Sequence, residues 1–254
     1  MSIKTATHNG VATIEIARPE KKNAITIAMY AAMAEALLAA NADAAVRAVL
    51  ITGQPGIFTS GNDLEDFMQR SGGGMDSPVF QFMRALIGCE KPVVAAVTGA
   101  AIGIGTTMLL HCDLVYVSDE ARLAMPFVSL GLVPEFASSL IVPKLAGGVR
   151  ANEKLLLGDP FTAEDAVEMR IANAVLPAGE VVNHARRIAE RFNTLPPGAV
   201  RDTKKLLRRG SAEAVMQAIT AEGEIFLQRV ASAEAREAFS AFFQKRKPDF
   251  SQFS

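Results

Sequence analysis

Two strands in this chain are apolar on both faces, and nothing else in the sequence constrains the fold as strongly. Ala48–Thr52 (Ala-Val-Leu-Ile-Thr) and Pro92–Thr98 (Pro-Val-Val-Ala-Ala-Val-Thr) lack the polar alternation of a sheet with one wet face. Such strands are expected where helices cover both sides of a largely parallel sheet. Val11–Ala17 alternates as a strand ended by Arg18-Pro19, and Leu114–Val117 and Ala121–Met125 read as short strands. Between them Thr26–Asn41, Phe80–Gly88 and Thr106–Cys112 read as helices, with Asn23 or Thr26 available as the first N-cap. From about residue 138 the chain turns helical, and Thr162-Ala-Glu-Asp165 has the form of a capping box. Pro196-Pro197-Gly198 interrupts the later helices, and Ser71-Gly-Gly-Gly-Met75 reads as a loop. Alternating strands and helices followed by a helical tail predict an α/β fold. The expected division is a core over 1–195 and a helical region over 196–254 that calls for a partner surface.

Composition excludes several classes. In 254 residues, half hydrophobic, the formal charge is −1, which gives no electrostatic reason to expect nucleic acid. No apolar run reaches the length of a membrane span. Met1-Ser-Ile-Lys-Thr lacks a signal-peptide core and the chain does not end in Ser-Lys-Leu, so the expected location is cytoplasmic. Cys89 and Cys112 make no disulfide framework and read as reduced, buried thiols. His8, His111 and His184 are scattered and read as structural or exposed, and no metal site is expected.

The chemistry concentrates in three places. The first apolar strand leads into Phe58-Thr-Ser-Gly-Asn-Asp-Leu-Glu-Asp-Phe67, the second into Gly99-Ala-Ala-Ile-Gly-Ile-Gly105. Glycines at strand ends let a backbone approach a ligand and present free N–H groups, and a helix N-terminus favours developing negative charge. A dinucleotide fingerprint fails because Met108 stands where its third glycine is required, and no Gly-Lys-Ser/Thr follows. Two readings remain for each turn: tight strand–helix packing, or a backbone donor. Two donors from different loops converging on one oxygen would form an oxyanion hole, each worth about 2.7–4 kcal/mol. The third place is Pro126–Ser139, whose one charged residue is Glu135. A carboxylate among apolar neighbours is raised in pKa toward the range useful for proton transfer. Its competing reading is an acid at a helix N-terminus, facing solvent. No Gly-x-Ser-x-Gly elbow is present, so proton abstraction beside a carbonyl fits better than nucleophilic hydrolysis.

These residues resemble the crotonase, or enoyl-CoA hydratase/isomerase, superfamily. The resemblance begins at Ala17-Arg-Pro-Glu-Lys-Lys-Asn-Ala-Ile25 and runs through Phe58–Phe67 and Lys91–Gly99. It continues in Cys112-Asp-Leu-Val-Tyr-Val-Ser-Asp119 and closes with Ala241-Phe-Phe-Gln-Lys-Arg-Lys247. It implies a spiral of ββα units, a helical C-terminal trimerisation region, acyl-CoA thioester substrates and no separate cofactor, with a homotrimer or dimer of trimers as the assembly. It also implies an enolate oxygen held by the backbone N–H groups of Asn62 and Ile104. Coenzyme A is expected along the Lys22–Ala24 backbone and the Gly61, Asp63 and Leu64 loop, with Lys245 near its phosphates; a solvated charge run is the other reading of Lys245. Asp63, Glu65 and Asp66 also read as helix-start residues, and Asp113 as fixing a turn.

The departures from the superfamily select a subgroup. Its hydratases use two glutamates, and this chain has Thr107 and Phe127 at those places. Glu135 stands where peroxisomal-type Δ3,Δ2-enoyl-CoA isomerases carry their catalytic glutamate. The resemblance therefore implies an isomerase with Glu135 as acid and base, its pKa raised only modestly, and with Phe127, Phe136 and Val133 as the dry acyl wall. Phe136 and Ala137 replace the small or glycine residues common there, which bears on pocket size. Three rivals remain: an isomerase of ring-derived CoA esters in aromatic degradation, a hydratase disfavoured by Thr107 and Phe127, and a catalytically silent acyl-CoA binder.

Overall fold

The computed structural model describes residues 2–70 and 74–253, so positions 71–73 of the expected glycine loop lie outside the described residues. Among the described residues ten strands form two sheets. The first contains β1 (Ile3–His8), β2 (Val11–Ile16), β3 (Ala48–Thr52), β5 (Val93–Val97), β7 (Leu114–Ser118) and β10 (Ala174–Leu176), in the order β1-β2-β3-β5-β7-β10. The second has the order β4-β6-β8-β9, from β4 (Gly56–Thr59), β6 (Gly99–Ile102), β8 (Arg122–Ala124) and β9 (Phe161–Thr162). Among the described strand pairs only the hairpin β1–β2 and the terminal pair β8–β9 are antiparallel. β3, β5 and β7 of the first sheet are each followed by a strand of the second, so β3–β4, β5–β6 and β7–β8 advance both sheets by one place together.

The apolar strands divide their side chains between two cores. Val49 and Ile51 of β3, and Val93, Ala95 and Val97 of β5, face the larger core with the helices Ile27–Ala42 and Pro78–Gly88. Ala48, Leu50, Val94 and Ala96 point the other way, against Val181, Ala185 and Ala189 of the Val181–Arg191 helix. Both faces are dry, which is why neither strand alternates. Each full burial of a large aliphatic side chain is worth about 1.5–3 kcal/mol.

Several expected elements recur with small shifts. Thr26 caps the Ile27–Ala42 helix by accepting from the Met29 N–H, and Thr162 and Asp165 form a reciprocal capping box. The expected helix over 106–112 is instead a short α-turn, Ile104–Thr107, continued by a 3-10 turn, Met108–His111. Pro197 opens the Pro197–Arg209 helix rather than interrupting one, as its fixed φ allows at a first turn. The helices Ala212–Val230 and Ala233–Phe243 follow. Among the described residues no helix is long and apolar enough to cross a membrane.

Asn23 is the joint between the sheets rather than a helix cap. Buried and left-handed (φ 54°), it donates from Nδ2 to the carbonyls of Ile16 (2.9 Å) and Phe58 (3.1 Å). Its Oδ1 accepts from the Arg18 N–H at 2.7 Å, and its own carbonyl accepts from Thr59 Oγ1. Asn23→Ala strands two buried carbonyls and leaves a Cβ residue with no side-chain bond in a left-handed conformation. It should lower unfolding free energy by about 2 kcal/mol or more. Urea denaturation measures this, and a loss under about 0.5 kcal/mol would show that the joint is held elsewhere.

Candidate active site

Because β4, β6 and β8 run parallel, their carboxyl ends open side by side, and all three expected site segments leave from that edge. Gly61 (φ 89°) lies so close to the second turn that a Cβ would stand 2.8 Å from the Ile102 carbonyl oxygen. Gly103 (φ 58°) turns β6 into the Ile104–Thr107 helix. Asn62 pairs with Ile25 in a parallel bridge made by the Gly61 carbonyl and the Asp63 N–H, a pattern that does not use the Asn62 N–H. Ile104 is the first residue of its helix, where an N–H has no partner within the helix. Both expected donors therefore sit in neighbouring turns with N–H groups outside the local ladders.

Glu135 borders an apolar pocket of about 600 Å³ counted to its open mouth. The Ile27–Ala42 helix contributes Tyr30, the Pro78–Gly88 helix Phe80 and Met83, and the Ala212–Val230 helix Ile219, Gly223 and Phe226. Asn62 and Phe136 complete the polar corner and back wall, and Glu135 is the sole carboxylate among the described lining residues. Phe136 stacks on His111 at 4.0 Å between centroids and meets Phe82 edge-on at 6.3 Å. Phe127 and Val133, expected as acyl wall, do not line the pocket; Phe127 is buried in the core and Val133 packs against it. Apolar composition predicted their burial but not the direction they face.

Glu135 is only 7 % exposed, and burial pushes its pKa up to about 8, opposed by a 2.5 Å hydrogen bond from Thr107 Oγ1 and reinforced by the charge of Glu222. The modest rise expected from the sequence is thus exceeded. Local sequence does not reveal a C-terminal helix that closes over the acid. The next two residues, Phe136 and Ala137, are both left-handed (φ 59° and 58°), a conformation costing roughly 1–3 kcal/mol per non-glycine residue. Ser138 donates its N–H and hydroxyl to the Glu135 carbonyl at 3.1 and 2.7 Å, and the Phe136 carbonyl is 2.8 Å from His111 Nε2. Burial lowers the His111 pKa to about 4, so its ring is neutral and donates this bond.

Other expected residues sit apart from the pocket wall. Asp63 is committed to an Arg18 guanidinium (2.7 Å) and to the Asp66 N–H (3.1 Å), which holds its pKa below the usual range despite partial burial. That places it as a helix-start residue bound to the 17–25 loop. Lys22 is exposed and left-handed, its carbonyl accepting from the Ser60 N–H; Ala24 and Leu64 are half-buried in the same loop pair. Lys245 is exposed in the turn after the Ala233–Phe243 helix and is not among the residues that line the pocket. Asp113 fixes a turn as expected, accepting from the Val93 N–H, Lys204 and Arg208.

Sequence reasoning missed Tyr30 and Glu222. The Tyr30 hydroxyl donates to Asn62 Oδ1 at 2.5 Å and fixes the side chain of an expected backbone donor. A lone tyrosine in a helix of Ala, Met and Leu was its available signal. Glu222, in Ala-Glu-Gly-Glu, reads as one of several helix-surface charges and carries none.

Comparison with known proteins agrees with this geometry. The profile of the Enoyl-CoA hydratase/isomerase family matches residues 6–253. Enoyl-CoA delta isomerase 2 of Rattus norvegicus is 34% identical over 97% of this chain, which spans 64% of that protein's length. The 2,3-dehydroadipyl-CoA hydratase of Escherichia coli is 28% identical over 94% of both chains. Among solved structures, Pseudomonas aeruginosa OdaA superposes with a TM-score of 0.93 at 52% identity, covering 95% of this chain and 98% of that one. The architecture is the crotonase spiral, and the chain belongs to the enoyl-CoA hydratase/isomerase family.

Proposed function

We propose that the protein is an enoyl-CoA isomerase that moves a Δ3 double bond to Δ2 through a thioester enolate. The observation that carries this reading is the solitude of Glu135: one buried carboxylate in an apolar pocket, with the Thr107 hydroxyl beside it where family hydratases place an acid. In this reading ionised Glu135 removes a C2 proton. The Asn62 and Ile104 N–H groups hold the enolate oxygen, and the protonated carboxyl returns the proton to C4. Hydration needs a second group to position and activate water, and Tyr30, the other ionisable residue among the described lining residues, is held protonated by burial and by the charge of Glu135.

Glu135→Gln should lower kcat for isomerisation of 3-hexenoyl-CoA by about 10²–10⁴-fold, followed spectroscopically as 2-hexenoyl-CoA forms. Hydration of 2-hexenoyl-CoA by the wild type at a matching rate would overturn the isomerase reading. The base form exists above the Glu135 pKa, so kcat/KM should climb as pH rises from 6.5 and level off above about 8.

Stability should move the other way. The folded state holds the Glu135 proton between the ordinary value of 4.5 and about 8, where the unfolded chain has released it. Unfolding free energy therefore declines as pH rises through that window. The Tm advantage of Glu135→Gln over the wild type should grow from pH 5 to pH 9; an advantage that is flat with pH would place the acid's pKa near its ordinary value.

The homotrimer, or dimer of trimers, also belongs to this proposal. Val149, Leu156 and Leu157 are 88, 65 and 62% exposed on one short helical stretch, apolar surface that a second copy would cover. Sedimentation equilibrium at micromolar concentration should give a multiple of three; a monomer overturns it.

A further inference from the structure

We infer that Glu222 is a positioning residue: its carboxylate, carried by the Ala212–Val230 helix, clamps the left-handed Phe136–Ala137 turn and so fixes where Glu135 stands in the pocket. The inference rests on the reading of Glu135 as the acid–base group.

The Ser138–Ala146 helix begins after Ala137, a residue with no side chain able to cap it. The cap comes from 85 residues away. Glu222 Oε2 accepts from the Ala137 N–H at 2.6 Å, and Oε1 accepts from the Ser139 N–H at 2.9 Å and the Ser139 hydroxyl at 2.5 Å. A carboxylate at this end also faces the positive end of the helix dipole. The first of those contacts is to the peptide N–H that joins the two strained residues, Phe136 and Ala137. Ser138 reaches back to the Glu135 carbonyl and His111 holds the Phe136 carbonyl, so the backbone from 135 to 139 is tied at every residue.

Glu222 does this from the edge of the helix face that forms the wall, one position before Gly223. The same helix turns Ile219, Gly223, Phe226 and Leu227 toward the pocket, a stripe at i, i+4, i+7 and i+8. Glu222 is absent from that lining and 7 % exposed, so it meets the turn and not a substrate. Its removal leaves the left-handed pair without the bonds that hold it, and the turn relaxes toward ordinary backbone angles, carrying Glu135 with it. A glycine at 137 lacks the Cβ that makes this conformation costly and keeps the turn with less help.

The test pairs steady-state kinetics on 3-hexenoyl-CoA with amide hydrogen exchange, by mass spectrometry, of the peptide spanning 130–142. Glu222→Ala should lower kcat at least tenfold with KM changed less than threefold, and the peptide should exchange at least tenfold faster. Adding Ala137→Gly should recover at least threefold of the lost kcat. If Glu222→Ala does not fold, Glu222→Gln keeps the shape, loses one of the two acceptor oxygens, and should show the same pattern at smaller amplitude. Unchanged kcat, unchanged exchange or no recovery with glycine overturns the inference. A wild type without isomerase activity defeats the functional reading instead, while the exchange measurement still reports on the clamp.

Discussion

Parallel pairing of β4, β6 and β8 is the constraint on which the site depends. A parallel strand cannot be reached by a tight hairpin, so each must be entered from the other sheet and left through a connection on the same edge. Three successive connections therefore share one rim. They bring together the turn at 60–63, the turn at 103–105 and the 125–137 segment, which are far apart in sequence. Asn23 keeps the two sheets in step, bonding to the end of β2 and the end of β4 at once. Any slip there would move one rim turn relative to the next.

Within that frame, burial of charge and strain of backbone are coupled. A lone carboxylate in an apolar pocket resists ionisation, and the Thr107 hydroxyl offsets only part of that cost. Holding it at a fixed point takes a turn that two non-glycine residues adopt against their preference. Bonds from Ser138, His111 and Glu222 hold that turn. The pocket is thus a packed scaffold around one proton-carrying group, and ring contacts run from Tyr30 through Phe82 to Phe136 and His111.

Much of this was legible in the sequence. Apolar strands without alternation indicated a sheet covered on both sides, and β3 and β5 divide their side chains between two cores as that pattern requires. The glycine turns and the isolated acid pointed to the segments that meet at the rim. Of the second sheet only β8 was legible, within Ala121–Met125; β4, β6 and β9 were not, because they have four residues or fewer and two of them begin with glycine, too short to show a period. Nor was the facing of Phe127, since an apolar residue after a proline reads alike whether it lines a pocket or fills a core. Glu222 was hidden for a different reason. Its partners lie more than eighty residues away, and only the packing of the Ala212–Val230 helix converts a surface-looking charge into a cap.

That helix also sets an order of assembly. Residues 219–227 form the last wall of the pocket, and they leave the ribosome after every other part of it. Until they dock, a nascent chain carries an open apolar cleft and an uncapped helix start, the kind of exposed surface that favours association during folding. Docking the C-terminal helix dries the cleft and caps the turn in a single event. Shortening the chain before residue 212 would therefore leave a folded-looking sheet core with a wet, unformed site.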